Sequence, residues 1–186
     1  MFFNKKYKLY SDEKLMTHIV SKNEKAFEEL YERYSKKMIY YFYQKLNFDT
    51  PKANDLVHDL FLKLIENPAA FNTKKKFSSW IYSLANNMCK NEYKRMNIRR
   101  VELPPHSLVE EESTEQSPKF KHFSKSLNAE LNKLKEEHQT TFILKHKENF
   151  TIKEISKIMN CSEGTVKSRL YNTTKKLAKE LSIFNK

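Results

Sequence analysis

The chain has 186 residues, 39% hydrophobic and 31% charged, which is enough apolar material for a buried core and excludes disorder throughout. One glycine, Gly164, and five prolines leave little of the turn chemistry that sheets and phosphate-binding βα loops draw on, so the composition predicts an all-α protein. Lysine and arginine total 35 against 23 acidic residues, and this net charge of +12 implies a polyanionic partner, nucleic acid being the commonest, unless it is only a lysine-rich surface.

In chain order, Ser11 begins a short helical segment with Leu15, Ile19 and Val20 on its apolar side. Asn23 is suited to cap a longer helix running to about residue 46. Phe27, Leu30, Tyr31, Tyr34, Met38, Phe42 and Leu46 fall on one face of it, in steps of three and four. Thr50 as cap and Pro51 at the first helical position predict a sharp start to the next helix. Its inner repeat is Ala53, Leu56, Val57, Leu60, Phe61, Leu64 and Ile65, until Asn67-Pro68 stops it. Asn54, Asp55, His58, Asp59 and Lys63 lie opposite. A basic loop from Phe71 to Phe77 follows, then a helix over about residues 78–96 with Trp80, Leu84 and Met88 as its apolar stripe, supported by Ile81 and Ala85. Lys90, Lys94, Arg95, Arg99 and Arg100 crowd its far half, where a phosphate backbone could lie.

Residues 101–124 contain Pro104-Pro105, Pro118 and five glutamates without apolar periodicity, and read as a flexible linker. Its acidity could keep it off DNA, or it could be a plain spacer. A second helical domain spans 125–186. Leu127, Leu131 and Leu134 suggest one helix, and Phe142, Ile143 and His146 the next, with Asn149 suited to a left-handed turn. Thr151 and Glu154 have the spacing of a capping box for a short helix carrying Ile155, Ile158 and Met159 inward. Asn160-Cys161 turns the chain, and Ser162 caps a last helix with Val166, Leu170, Thr173 or Thr174, Leu177 and Leu181 inside.

A short capped helix, a tight turn and a longer basic helix is the sequence form of a helix-turn-helix, whose second helix enters the major groove. Its groove-facing side would carry Glu163, Thr165, Lys167, Ser168, Tyr171 and Asn172. Lys167 and Asn172 can bond base edges, while Ser168 and Arg169 can hold phosphates. A helical hairpin with a solvated basic face is the alternative. No nucleophile–base set, Walker lysine loop or His-Glu-x-x-His run is present, and Cys89 and Cys161 are too far apart for a zinc spacing. No catalytic residue, cofactor or metal is expected. No segment approaches the ~20 apolar residues that span a bilayer, so no membrane insertion and a cytoplasmic location are expected.

From Glu154-Ile155-Ser156 through Gly164-Thr165-Val166-Lys167-Ser168-Arg169-Leu170, the chain resembles the fourth conserved region of bacterial sigma-70 family sigma factors of the extracytoplasmic-function (ECF) group. Three further stretches resemble the family's second region, in family order. They are Ala26-Phe27-Glu28-Glu29-Leu30-Tyr31-Glu32-Arg33-Tyr34, Asp55-Leu56-Val57-His58-Asp59-Leu60-Phe61-Leu62-Lys63-Leu64 and Phe77-Ser78-Ser79-Trp80-Ile81-Tyr82-Ser83-Leu84-Ala85-Asn86-Asn87.

The resemblance implies two helical domains: region 2 over 1–100 and region 4 over 125–186, joined by the linker. It implies a transcription initiation factor, not an enzyme, that binds RNA polymerase core and directs it to promoters. Ser162, Thr165, Lys167, Ser168, Arg169, Tyr171 and Asn172 would read the minus-35 element. Asn72, Lys74, Lys75, Lys76, Asn87, Asn91, Lys94 and Arg95 would handle the minus-10 element, with Phe71, Phe77 and Tyr82 as candidate rings for stacking unpaired bases, although core packing is the favoured reading for Phe77. Asp55, Leu56, His58 and Asp59 would dock on the clamp helices of the largest polymerase subunit. An anti-sigma factor is a further partner that the resemblance implies. The sequence departs from the family at His58 and Asp59, often glutamine and glutamate, at Lys135, often proline, and at Asn149, often glycine. Asn172 and Thr173-Thr174 replace an arginine and a small-then-basic pair, which bears on the minus-35 sequence that is read.

Overall fold

The computed structural model describes residues 5–99 and 118–185, which are helical and contain no strand. The chain divides into two compact units, Met1–Pro105 and His106–Lys186.

The first unit is built from α1 (Lys5–Lys8), α2 (Asp12–Val20), α3 (Glu24–Lys45), α4 (Thr50–Glu66), a 3-10 turn at Pro68–Ala70 and α5 (Phe77–Arg99). Side-chain caps set the entry of three helices: Ser11 accepts from the Lys14 amide at 3.2 Å, Asn23 from Ala26 at 3.0 Å and Asp49 from Lys52 at 2.9 Å. The cap of α4 is therefore Asp49, not Thr50. Two cap-type residues stand side by side, and the tight turn through Asn47 and Phe48 (φ 54° and 65°) aims the aspartate at the open amide. Helix α3 is the central element, packed against α2 and α4, with Leu30, Met38, Tyr41 and Phe42 fully buried together with Leu15, Met16, Leu60, Leu64 and Ile81.

Arg33 ties the N-terminal segment to α3. Its guanidinium donates to Glu29 (2.8 Å), Asp12 (2.7 Å) and the carbonyls of Tyr7 (3.2 Å), Lys8 (2.9 Å) and Tyr10 (2.9 Å), using all the directions of its planar fork. Helix α5 departs from the expected stripe. Phe77, Ile81, Tyr82, Ala85, Asn86, Met88, Cys89 and Glu92 are buried, whereas Trp80 and Leu84 are half-buried. The helix packs on α2, α3 and α4 together, so its covered face is broader than one stripe. Glu92 is held there by Lys52 of α4 at 2.9 Å.

The second unit contains α6 (Pro118–Asn132), α7 (Glu136–His146), α8 (Ile152–Met159), α9 (Glu163–Glu180) and a 3-10 turn at Ser182–Asn185. Helix α6 begins inside the stretch that the composition assigns to a linker. Proline suits a first helical turn, and Phe123 continues the repeat of Leu127, Leu131 and Leu134 backwards onto Leu177, Leu181 and Phe184. Residues 100–117, which hold the remainder of that stretch, lie outside the described residues. Ile143 and Leu144 of α7, Ile155, Ile158 and Met159 of α8 and Val166 of α9 are buried where these three helices pack. The His138 ring joins the buried Thr173 hydroxyl at 3.1 Å, so of the two adjacent threonines it is Thr173 that faces inward.

Candidate nucleic-acid interface and partner face

Helix α8 opens with a complete capping box: Thr151 accepts from the Glu154 amide at 3.2 Å, and the Glu154 carboxylate accepts from the Thr151 amide at 3.0 Å. Asn160 ends the helix at φ 50°, a left-handed position that asparagine tolerates, and the Cys161 amide closes back on the Ser156 carbonyl at 3.0 Å. Ser162 then accepts from the Thr165 amide at 3.0 Å and starts α9. With Val166, Thr173 and Leu177 buried, α9 turns the opposite face outward. Ser162, Glu163, Gly164, Lys167, Ser168, Tyr171 and Asn172 are all exposed, the Tyr171 side chain strongly so at 67%.

Thr165 and Arg169 are half-buried at the edges of that face. The Ser168 hydroxyl donates to the Thr165 carbonyl at 3.0 Å, and one Arg169 nitrogen reaches the Cys161 sulfur at 3.7 Å, across the turn. The exposed face continues beyond Asn172 through Lys175, Lys176 and Lys179.

In the first unit, Asn72, Lys74, Lys75 and Lys76 are exposed on a turn in which Asn72 Oδ1 accepts from the Lys74 amide at 3.0 Å and the Asn72 carbonyl from Lys75 at 2.9 Å. The rings named as stacking candidates are engaged in the core. Phe71, Phe77 and Tyr82 are 5%, 0% and 3% exposed, with Phe71 against Phe77 at 5.4 Å, Phe77 against Tyr34 at 5.1 Å and Tyr82 against Tyr41 at 5.2 Å. They anchor the basic loop from behind, and no ring of the three can receive a base without opening the core. Trp80, half-buried beside Phe71, comes nearer to the surface than they do.

Asn87, Asn91, Lys94 and Arg95 are exposed at helical spacing on α5. At 1.5 Å per residue they lie roughly 15 to 27 Å along the helix from Phe77, so they and the loop form two contact regions rather than one pocket. The side chains of Arg99 and Arg100 lie outside the described residues.

Helix α4 exposes Asp55, His58 and Asp59 but buries Leu56, which is 6% exposed and belongs to the core. Leu56 is thus no surface contact, because its position repeats with Leu60 and Leu64 rather than with the acids. Leu62 (53% exposed) and Ile65 (49%) stand on the outer side instead, Leu62 following Asp55 and His58 at helical steps. The spacing predicts Ile65 inside, in step with Val57 and Phe61, and leaves Leu62 unassigned; the structure exposes both, Ile65 at the end of the helix where the covering elements stop. Among the described residues no group of His, Cys, Asp and Glu is placed to hold a metal ion, and no helix is long and apolar enough to cross a membrane.

A helix-turn-helix unit together with a unit bearing a basic loop and an acid–aliphatic helix face defines a DNA-binding protein of transcription. Comparison with known proteins makes this specific. Sigma-70 region 2 matches residues 30–98 and sigma-70, region 4 matches residues 124–177. RNA polymerase sigma factor YlaC of Bacillus subtilis is 25% identical over 165 residues, covering 87% of this chain and 95% of its own. The ECF RNA polymerase sigma-E factor of Haemophilus influenzae is 28% identical over 178 residues, with 87% and 90% covered.

Among solved structures, CnrH in complex with the cytosolic domain of CnrY shares the fold at a TM-score of 0.68 and 17% identity, covering 92% of this chain and 97% of that one. The sigma factor RpoE in complex with the anti-sigma factor NepR, from Bartonella quintana, shares it at 0.62 and 20%, covering 78% and 90%. The chain belongs to the sigma-70 family of RNA polymerase sigma factors, in the ECF group, and acts in promoter-specific transcription initiation with RNA polymerase. The family is one of non-enzymatic transcription factors.

Proposed function

We propose that α9 reads the minus-35 element, that the loop of Asn72 to Lys76 and the Asn87 to Arg95 face of α5 handle the minus-10 region, and that the outer face of α4 docks on the clamp helices of the largest polymerase subunit. The observation that carries this is the outward face of α9, capped by Ser162 and lined by Lys167, Tyr171 and Asn172. An N-terminal turn of that kind is what a helix-turn-helix leads into the major groove. Lys167 donates to a guanine edge, Asn172 bonds a base edge, and Ser162, Thr165, Ser168, Tyr171 and the Arg169 guanidinium hold backbone or groove wall.

At minus 10, Asn72 and the backbone of its turn receive an unstacked base while Lys74, Lys75 and Lys76 lie near phosphates. Asn87, Asn91, Lys94 and Arg95 follow the duplex upstream. Capture of an extruded base offsets part of the cost of opening the duplex. On α4 the polar contacts of Asp55, His58 and Asp59 are extended by Leu62 and Ile65, which give the face apolar area to bury. On this reading nucleotide chemistry belongs to the polymerase, and the chain supplies recognition and docking. It works in the cytoplasm, and an anti-sigma factor is a further partner, as RpoE of Bartonella quintana has in NepR.

Co-purification with core polymerase and in-vitro transcription on genomic fragments test the reading. Asp55→Lys with Asp59→Lys should abolish core binding, whereas Lys167→Ala should leave core binding intact and weaken use of minus-35-dependent promoters. A chain that fails to bind core, or binds it without initiating at specific sites, would sink the reading.

A further inference from the structure

The helix-turn-helix has two glutamates at the starts of its helices, and the fold treats them differently. Glu154 of α8 is turned back on its own helix, its carboxylate bonded to the Thr151 amide at 3.0 Å and hydroxyl at 2.8 Å. Glu163, the first residue of α9, is exposed and makes no hydrogen bond or ion pair with any described residue. The capping task is already met by Ser162, whose hydroxyl holds the Thr165 amide at 3.0 Å and lies 2.9 Å from the Thr165 hydroxyl. Lys167 stands at the i+4 position, the favourable orientation for a helical ion pair, yet the two side chains do not meet. A free carboxylate thus projects from the leading turn of the helix that enters the groove, in a chain of net charge +12 whose other exposed groups there attract phosphate.

Gly164 supplies the second observation. It is the chain's single glycine, it sits within α9 without a positive φ, and a Cβ built on it would meet nothing closer than the Ser162 hydroxyl at 3.7 Å, an ordinary contact. The fold does not require glycine there. A bare backbone next to Glu163 lets the helix start approach a surface that comes from outside, which brings the neighbouring carboxylate within reach of base edges.

We propose that Glu163 is a specificity determinant that selects cytosine at one position of the minus-35 element. A carboxylate only accepts hydrogen bonds, and in the major groove cytosine offers the N4 amino donor. Guanine presents two acceptors, thymine one, and adenine pairs its donor with the N7 acceptor, so each of these meets Glu163 with at least one repulsive lone pair. Lys167, one turn on, complements this by donating to guanine. The inference rests on α9 being the minus-35 reader.

The test uses the full chain assembled with core polymerase and promoter duplexes randomised across the minus-35 element above a fixed minus-10 element. Wild-type holoenzyme should enrich cytosine at one position. Glu163→Ala should flatten that position on the order of tenfold while the others stay selected, and Glu163→Gln should move it toward adenine, which an amide can bond through N6 and N7. If both variants select the same sequence as wild type, merely binding every duplex more tightly, the carboxylate contributes only charge and the proposal is overturned. A wild-type holoenzyme without minus-35 preference, or one whose selection Lys167→Ala leaves untouched, overturns instead the assignment of α9 on which the proposal stands.

Discussion

Single positions in the second unit separate what the fold needs from what DNA contact needs. Thr151 works for the fold. It is exposed, and its hydroxyl closes the capping box with Glu154. Thr151→Ala should cost about 1 kcal/mol, so amide exchange in α8 should speed up roughly fivefold while the exposed residues of α9 keep their place. Gly164 works the other way. Gly164→Ala should stabilise α9 by roughly 0.5–1 kcal/mol, seen as slower exchange in its first turns, and should nonetheless weaken minus-35 binding by the holoenzyme. Equal or tighter binding would mean that no surface approaches that turn. Caps were readable from sequence where one suitable residue preceded a helix, as at Asn23, Thr151 and Ser162. At Asp49-Thr50 two adjacent candidates stood in competition, and only the backbone path decides between them.

At the scale of an element, period tells more about a short helix that buries one narrow side than about a long helix covered by three partners. Helix α8 buries the three residues its spacing names, Ile155, Ile158 and Met159. Helix α5 meets three partners, and its buried positions include Asn86 and Glu92, which no apolar pattern could have nominated. A related limit applies to Phe71 and Tyr82 near the basic loop, whereas Phe77 lies in the core as its pattern suggests. Composition marks a ring as available for stacking or for packing alike, and burial assigns Phe71, Phe77 and Tyr82 to packing. On α4 the polar residues of the outer face were legible because charge is out of place in a core. Leu62 and Ile65 were not, since an exposed aliphatic looks like a buried one in sequence. Leu62→Asp with Ile65→Asp should lower core polymerase affinity by at least tenfold, measured by titration of labelled core, with an unchanged helical circular-dichroism spectrum. Unchanged affinity would confine docking to Asp55, His58 and Asp59.

Over the whole molecule the governing quantity is charge, and the excess of 12 positive charges has to be divided between groups that read sequence and groups that only hold phosphate. Helix α9 shows the division along its length. On the proposed reading, its leading turns carry Glu163 and Lys167 on the outward face, with Asn172 near its middle, chemically diverse groups able to distinguish bases. Its second half carries Lys175, Lys176 and Lys179, all exposed and chemically alike. Because the leading turns of a recognition helix enter the groove, the trailing lysines end at its rim, where the phosphates are. Contacts of that kind release counterions and add affinity without preference. Lys175→Ala with Lys176→Ala should therefore weaken holoenzyme binding to every promoter alike and reduce the slope of log affinity against log salt by about two. The sequence selected from a randomised minus-35 library should stay the same. Lys167→Ala should give the converse pattern, a changed selection with a smaller change in slope. A shift in selected sequence for the Lys175 and Lys176 pair would move the boundary between reading and holding toward the C-terminal end of α9, and bring Asn172, the family's departure at this helix, into the middle of the reading face rather than its edge.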